Sequence, residues 1–137
     1  MMTLKSLKSL ILIATASVTF NVLANHPIFL GAVSLMDRQD TDVLHLPPCM
    51  GPANNPVSSL KLEVKQYAAQ IDDLDVTFYN GDKQDLTVRE HFAPGSSSRW
   101  IDLNGGKRCI KKIVIKGDSD TFGNAPFKQA KVLFYGL

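Results

Sequence analysis

The sequence predicts an all-β fold: an antiparallel, jelly-roll-like β-sandwich of about eight short strands closed by one disulfide. Three observations carry this. Apolar and polar residues alternate with a period of two through much of the chain, the pattern of strands with one buried face. Turn-forming clusters punctuate the alternation at Asn80-Gly81-Asp82, Pro94-Gly95-Ser96, Asn104-Gly105-Gly106 and Gly117-Asp118. No stretch sustains a helical apolar stripe over three turns, and Gln66 to Asp72 holds one turn at most.

Taken in order, Met1 to Ser9 carries Lys5 and Lys8 without an acid, Leu10 to Val18 is apolar apart from Thr15 and Ser17, and Val22-Leu23-Ala24 ends on a small residue. That is the layout of a secretory signal peptide over residues 1–24, leaving residues 25–137 as a single β-sandwich domain. The apolar run is shorter than the about 20 residues of a membrane span. Neither cysteine lies at the cleavage site, so no lipid anchor is expected. The expected location is periplasmic or secreted, without stable membrane insertion after cleavage. The whole chain has 15 Lys plus Arg against 13 Asp plus Glu, and Lys5 and Lys8 supply the excess. The domain is therefore neutral, with no general electrostatic pull on nucleic acid or anionic membranes.

Candidate strands are Ile28 to Leu35 and Thr41 to Leu46, followed by Leu60 to Lys65, where leucines and valine alternate with charges. Leu74, Val76 and Phe78 alternate with Asp73, Asp75, Thr77 and Tyr79 in the next. Asn80-Gly81 tolerates positive φ and predicts a tight hairpin. Asp85 to His91, Arg99 to Leu103, Cys109 to Lys116 and Gln129 to Tyr135 complete the set. Ile110, Ile113 and Ile115 break strict alternation around Lys111-Lys112, so a bulge is needed to bring all three to the core. Pro47 to Ser59 is a proline-rich connection. Export favours a bond between the two cysteines, Cys49 and Cys109, closing a loop of about 60 residues and stabilising the fold by about 4 kcal/mol. A catalytic thiol fits less well, because neither cysteine has a C-x-x-C partner or an adjacent base.

Several runs together resemble a known family: Leu30-Gly31, Asp37-x-x-Asp40-x-Asp42-Val43-Leu44, Leu60-x-Leu62-x-Val64, Val76-x-Phe78-x-Asn80-Gly81, Arg99-Trp100-Ile101-Asp102-Leu103 and Gly105-Gly106-x-Arg108-x-Ile110. They look like the YaaI-like family of small exported bacterial proteins, domain of unknown function 2541. The resemblance covers nearly all of the chain after the signal segment, apart from Pro47 to Pro56. It implies an exported β-sandwich in a Gram-negative cell and transfers no catalytic residues, ligand or cofactor.

The residues that carry chemistry are few. Asp37, Asp40 and Asp42 set three carboxylates close together, as in an acidic turn contributing to a calcium site. The glycine and distal glutamate of an EF-hand are missing, and the same aspartates also suit turn capping or pairing with Arg38, Arg99 or Arg108. Asp72, Asp73 and Asp75 form a weaker second group. Trp100 and Asp102 point outward if Ile101 and Leu103 point inward, which places an aromatic beside a carboxylate for stacking on a sugar or anchoring a protein. The opposite register, or cover by Pro47 to Ser59, makes Trp100 core instead. Arg99, Asp102 and Arg108 read as a structural ion-pair set at the end of two strands, with an anionic-ligand clamp as the alternative.

His26, His45 and His91 are scattered without metal-ligand spacing. A copper site at the amino terminus would need cleavage after Asn25, against the small-residue rule. Ser96-Ser97-Ser98 lacks the context of a nucleophile elbow, and Gly105-Gly106-Lys107 has no following helix to make a phosphate loop. The sequence therefore points to a binding module without enzymatic activity, touching a glycan or an envelope protein through Trp100, Asp102, Arg99 and Arg108. No cofactor is expected beyond calcium at the Asp37, Asp40 and Asp42 turn. The competing enzyme reading is a small envelope hydrolase with His45 or His91 as general base.

Overall fold

The computed structural model describes residues 26–50, 55–119 and 128–137. The expected signal peptide, residues 1–24, lies outside them. The described residues form nine strands and no helix: β1 (Ile28–Leu35), β2 (Asp40–His45), β3 (Ser59–Lys65), β4 (Ala69–Phe78), β5 (Lys83–Leu86), β6 (Glu90–Phe92), β7 (Ile101–Asp102), β8 (Ile110–Ser119) and β9 (Ala130–Gly136). They make two antiparallel sheets. One has the order β1-β9-β3-β7; the other has β2-β8-β4-β5, with β6 also on β4.

β5 and β6 pair with successive parts of β4, at Leu74 to Thr77 and at Ala69 to Ile71. Counted as one interrupted strand, they give the sheet orders of a jelly roll, in which two Greek keys fold over a shared core. The sequence expected one strand over Asp85 to His91. Val88 interrupts it by turning into the core, 4% exposed, with its N–H bonded to the Leu86 carbonyl.

Alternation explains most of the core. Leu60, Leu62 and Val64 of β3, and Val132 and Phe134 of β9, pack against Leu74, Val76 and Phe78 of β4 and the isoleucines of β8 in one apolar cluster. In β8 the register steps from Thr77 opposite Lys112 to Phe78 opposite Ile110, so Lys111 is the extra residue of a bulge. Ile110, Ile113 and Ile115 are all buried as a result. The expected hairpin joins β4 to β5 through Tyr79-Asn80-Gly81, with Gly81 at φ 95°.

Three local expectations are corrected. Gln66 to Asp72 is not a helical turn: β4 begins at Ala69, and a second bulge between Ile71 and Asp73 accommodates Asp72. Gly117-Asp118 is not a turn either, since β8 runs through it to Ser119. Ser96 to Ser98 does more than turn. Val64 N–H bonds the Ser96 carbonyl, Leu62 N–H bonds Ser98 Oγ, and Ser98 N–H returns to the Leu62 carbonyl. This irregular segment covers the β3 edge up to β7, which is why the strand expected from Arg99 shrinks to Ile101–Asp102.

Cys49 and Cys109 are bonded, with Cα atoms 5.9 Å apart. The bond fastens the connection after β2 to the entry of β8. No helix among the described residues is long and apolar enough to cross a membrane. A disulfide in such a domain is compatible with an extracytoplasmic protein.

Candidate functional site

Register builds a mixed aromatic and charged face on the outer side of the β1-β9-β3-β7 sheet. Phe29 stands opposite Tyr135, and Tyr135 opposite Lys61. Leu60 pairs with Ile101, so the chain places Trp100 next to Lys61 in the same row. The result is a band of Phe29, Tyr135, Lys61 and Trp100 across four neighbouring segments. The Phe29 and Tyr135 rings are 5.6 Å apart and tilted by 59°, and the Lys61 ammonium lies 4.9 Å over the Trp100 ring.

Ile101 and Leu103 are buried, while Asp102 is exposed and Trp100 half-buried. Phe29 is 56% exposed, too open for a structural role in the core to explain it. Beside the band is a hollow of about 240 Å³ lined by Pro27, Lys61, Glu63, Ser97 and Tyr135. It is smaller than the about 300 to 1,000 Å³ typical of pockets that engulf a ligand, and suits a surface that holds one face of it. Glu63 is engaged from two sides: the Tyr135 hydroxyl donates to it at 3.4 Å and Lys65 lies 3.9 Å away.

The remaining expected ligand residues do not join this band as a set. Asp102 accepts a hydrogen bond from the Ser59 hydroxyl at 3.0 Å. Arg99 donates to the Thr87 carbonyl. Arg108 forms its ion pair with Asp82, at 3.0 Å, and not with Asp102. Its guanidinium also bonds Asn104 O and Asn80 Oδ1 and lies 3.9 Å over the Phe78 ring. With its side chain 16% exposed, Arg108 pins the β4–β5 hairpin to the loop before β8. The expected Arg99, Asp102 and Arg108 ion-pair set is thus replaced by an Arg108 and Asp82 pair, because the tip of the β4–β5 hairpin lies against Arg108 while Asp102 bonds Ser59.

The acidic residues also regroup. The expected acidic turn is corrected: Asp40 and Asp42 lie within strand β2, paired with Gly117 and Ile115 of β8, and each accepts the N–H of the next residue. Among the described residues, the three carboxylates that come within a common ion's reach are Asp73, Asp75 and Asp85, not Asp37, Asp40 and Asp42. Asp75 faces Asp85 directly across β4 and β5, a like-charge pairing that costs stability. Burial pushes the Asp75 carboxyl above its ordinary value of 3.8; the Asp73 charge, a hydrogen bond with Asp73 and the Asp85 charge push the same way, against Lys83.

That shift has a sign. A carboxyl raised in the fold makes its stabilising contribution at low pH and loses it as pH rises through the folded value. Asp75→Asn is therefore expected to raise Tm at pH 7, with the gain vanishing as pH falls below about 3.8, read by thermal melts across pH. A fall in Tm at pH 7 would contradict the like-charge repulsion at Asp75.

His45 is exposed on β2, opposite Lys112 of β8, and His91 lies on β6 opposite Gln70. Neither lines the hollow at the aromatic band or those beside the acidic cluster. The residues that sequence reasoning missed are Phe29, Tyr135, Lys61, Glu63 and Ser97 on the band, and Asp85 in the cluster. Alternation does orient Lys61 and Glu63 outward. What it lacks is the register that brings residue 29 beside residue 135.

Among curated proteins and among solved structures, no chain matches this one significantly. A family model does, over residues 6–136, under the description Domain of unknown function (DUF2541). That match spans nearly the whole chain and agrees with the motif resemblance: the chain belongs to the DUF2541 family.

Proposed function

We propose that this chain is a non-enzymatic binding module of the cell envelope, and that the outer face of the β1-β9-β3-β7 sheet takes a saccharide. The observation that carries the reading is the band of Phe29, Tyr135, Lys61 and Trp100. Aromatic faces pack against the C–H faces of sugar rings, while neighbouring polar groups bond the hydroxyls. Here Glu63, Ser97 and Lys61 border the hollow beside the rings. The signal-like pattern of residues 1–24 and the disulfide favour the envelope as its place of work.

Trp100 is the sole tryptophan, so its emission reports on the band directly. Titration of the oxidised protein with cell-wall oligosaccharides should change that emission saturably and raise Tm. Trp100→Ala should weaken saccharide binding at least about tenfold, about 1.4 kcal/mol, while the fold persists because the ring is not in the core. Unaltered affinity in that variant would remove the band from the site. An envelope protein that shifts the emission where no saccharide does would assign the face to a protein partner.

A further inference from the structure

We infer that the saccharide taken by this face is acidic, carrying a carboxylate that Lys61 pairs when its ammonium leaves the Trp100 ring. The inference rests on the saccharide reading above and specifies its ligand. Lys61 lines the hollow, lies 4.9 Å over Trp100, and has no carboxylate partner among the described residues. Glu63, the acid lining the same hollow, is already held by Lys65 and the Tyr135 hydroxyl.

Two outward rows beyond the Lys61 and Tyr135 pair, past Glu63 and Leu133, Lys131 stands beside Lys65. The face thus carries Lys61, Lys65 and Lys131 against Glu63, with Asp102 at its margin bonded to Ser59. Its excess charge is positive although the domain as a whole is neutral, and complementary charge selects an anionic partner. A cation resting on an exposed ring is weakly held, whereas a charge-assisted hydrogen bond to a carboxylate is a stronger contact. An acidic sugar therefore gives Lys61 a better partner and uncovers the indole for the sugar ring in one movement. A neutral sugar offers Lys61 only hydroxyl oxygens, weaker acceptors than a carboxylate.

Two sources share this chemistry: a uronic acid, and a hexosamine bearing a lactyl carboxylate. Calorimetric or fluorescence titration of the purified, oxidised protein separates them through matched pairs. Tri-galacturonate is compared with its methyl ester, and N-acetylglucosaminyl-N-acetylmuramic acid with di-N-acetylchitobiose. The acid of at least one pair should bind about tenfold more tightly than its neutral counterpart, with the preference shrinking in high salt. Lys61→Gln should abolish the preference, bringing the acid and its neutral counterpart to equal affinity. Lys131→Gln, on the same face but away from the hollow, should keep the preference.

Equal affinities within both pairs would overturn the inference and leave the saccharide reading intact. A preference that survives Lys61→Gln would overturn the role of Lys61. No binding of any of the four probes would overturn the saccharide reading itself. The salt dependence in the unsubstituted protein reads the same charge contact should the variant fail to fold.

Discussion

Replacing both Cys49 and Cys109 by alanine is expected to lower the unfolding free energy by about 4 kcal/mol, from the loop-closure entropy of the unfolded chain. The bond joins residues 60 apart, so it removes many unfolded conformations. In the fold it fastens the proline-rich connection after β2 to the entry of β8, a strand flanked by β2 and β4. A domain of this size is commonly stable by about 5 to 15 kcal/mol, so the variant would sit near the edge of folding. Urea unfolding of the oxidised protein and the double variant, with both slopes reported, measures the difference. A loss under about 1 kcal/mol would show that the crosslink constrains little.

Gly117→Ala is expected to cost about 3 kcal/mol or more, at the upper end of overpacking penalties. A Cβ at this position would run into the Gln70 carbonyl oxygen and lie 3.2 Å from the Ile71 Cα. Those are backbone atoms of β4, which is held by β8 on one side and by β5 and β6 on the other. No rotamer change relieves such a contact. The close approach occurs beside the Asp72 bulge, where the register of β4 against β8 shifts. A denaturation midpoint for the variant within error of the parent would contradict this packing.

Gly117 also shows where the sequence was legible and where it was not. A glycine followed by an aspartate signals a turn as readily as a strand position that tolerates no side chain. Only the bulge in β4, distant along the chain, separates the two. The Ile110, Ile113 and Ile115 bulge was readable because three buried isoleucines on one strand require it. The break between β5 and β6 was not, because Val88 keeps the alternation while its backbone leaves the ladder.

The candidate site divides in the same way. The orientation of Trp100 follows from the local parity of Ile101 and Leu103. Its neighbours Lys61, Tyr135 and Phe29 come from β3, β9 and β1, strands far apart along the chain, and pairing register between distant strands is not written in any one of them. Arg108 follows the same rule: its Asp82 partner sits on a hairpin tip that local sequence cannot orient toward it.

The most direct test of the proposed binding face is an amide and indole N–H chemical-shift map of the oxidised protein during titration with the acidic disaccharide and with tri-galacturonate. The account predicts saturable shifts centred on the Trp100 indole and the amides of Phe29, Lys61, Ser97 and Tyr135, with the opposite sheet unmoved. Shifts centred instead on Asp73, Asp75 and Asp85, or none at millimolar ligand, would contradict it.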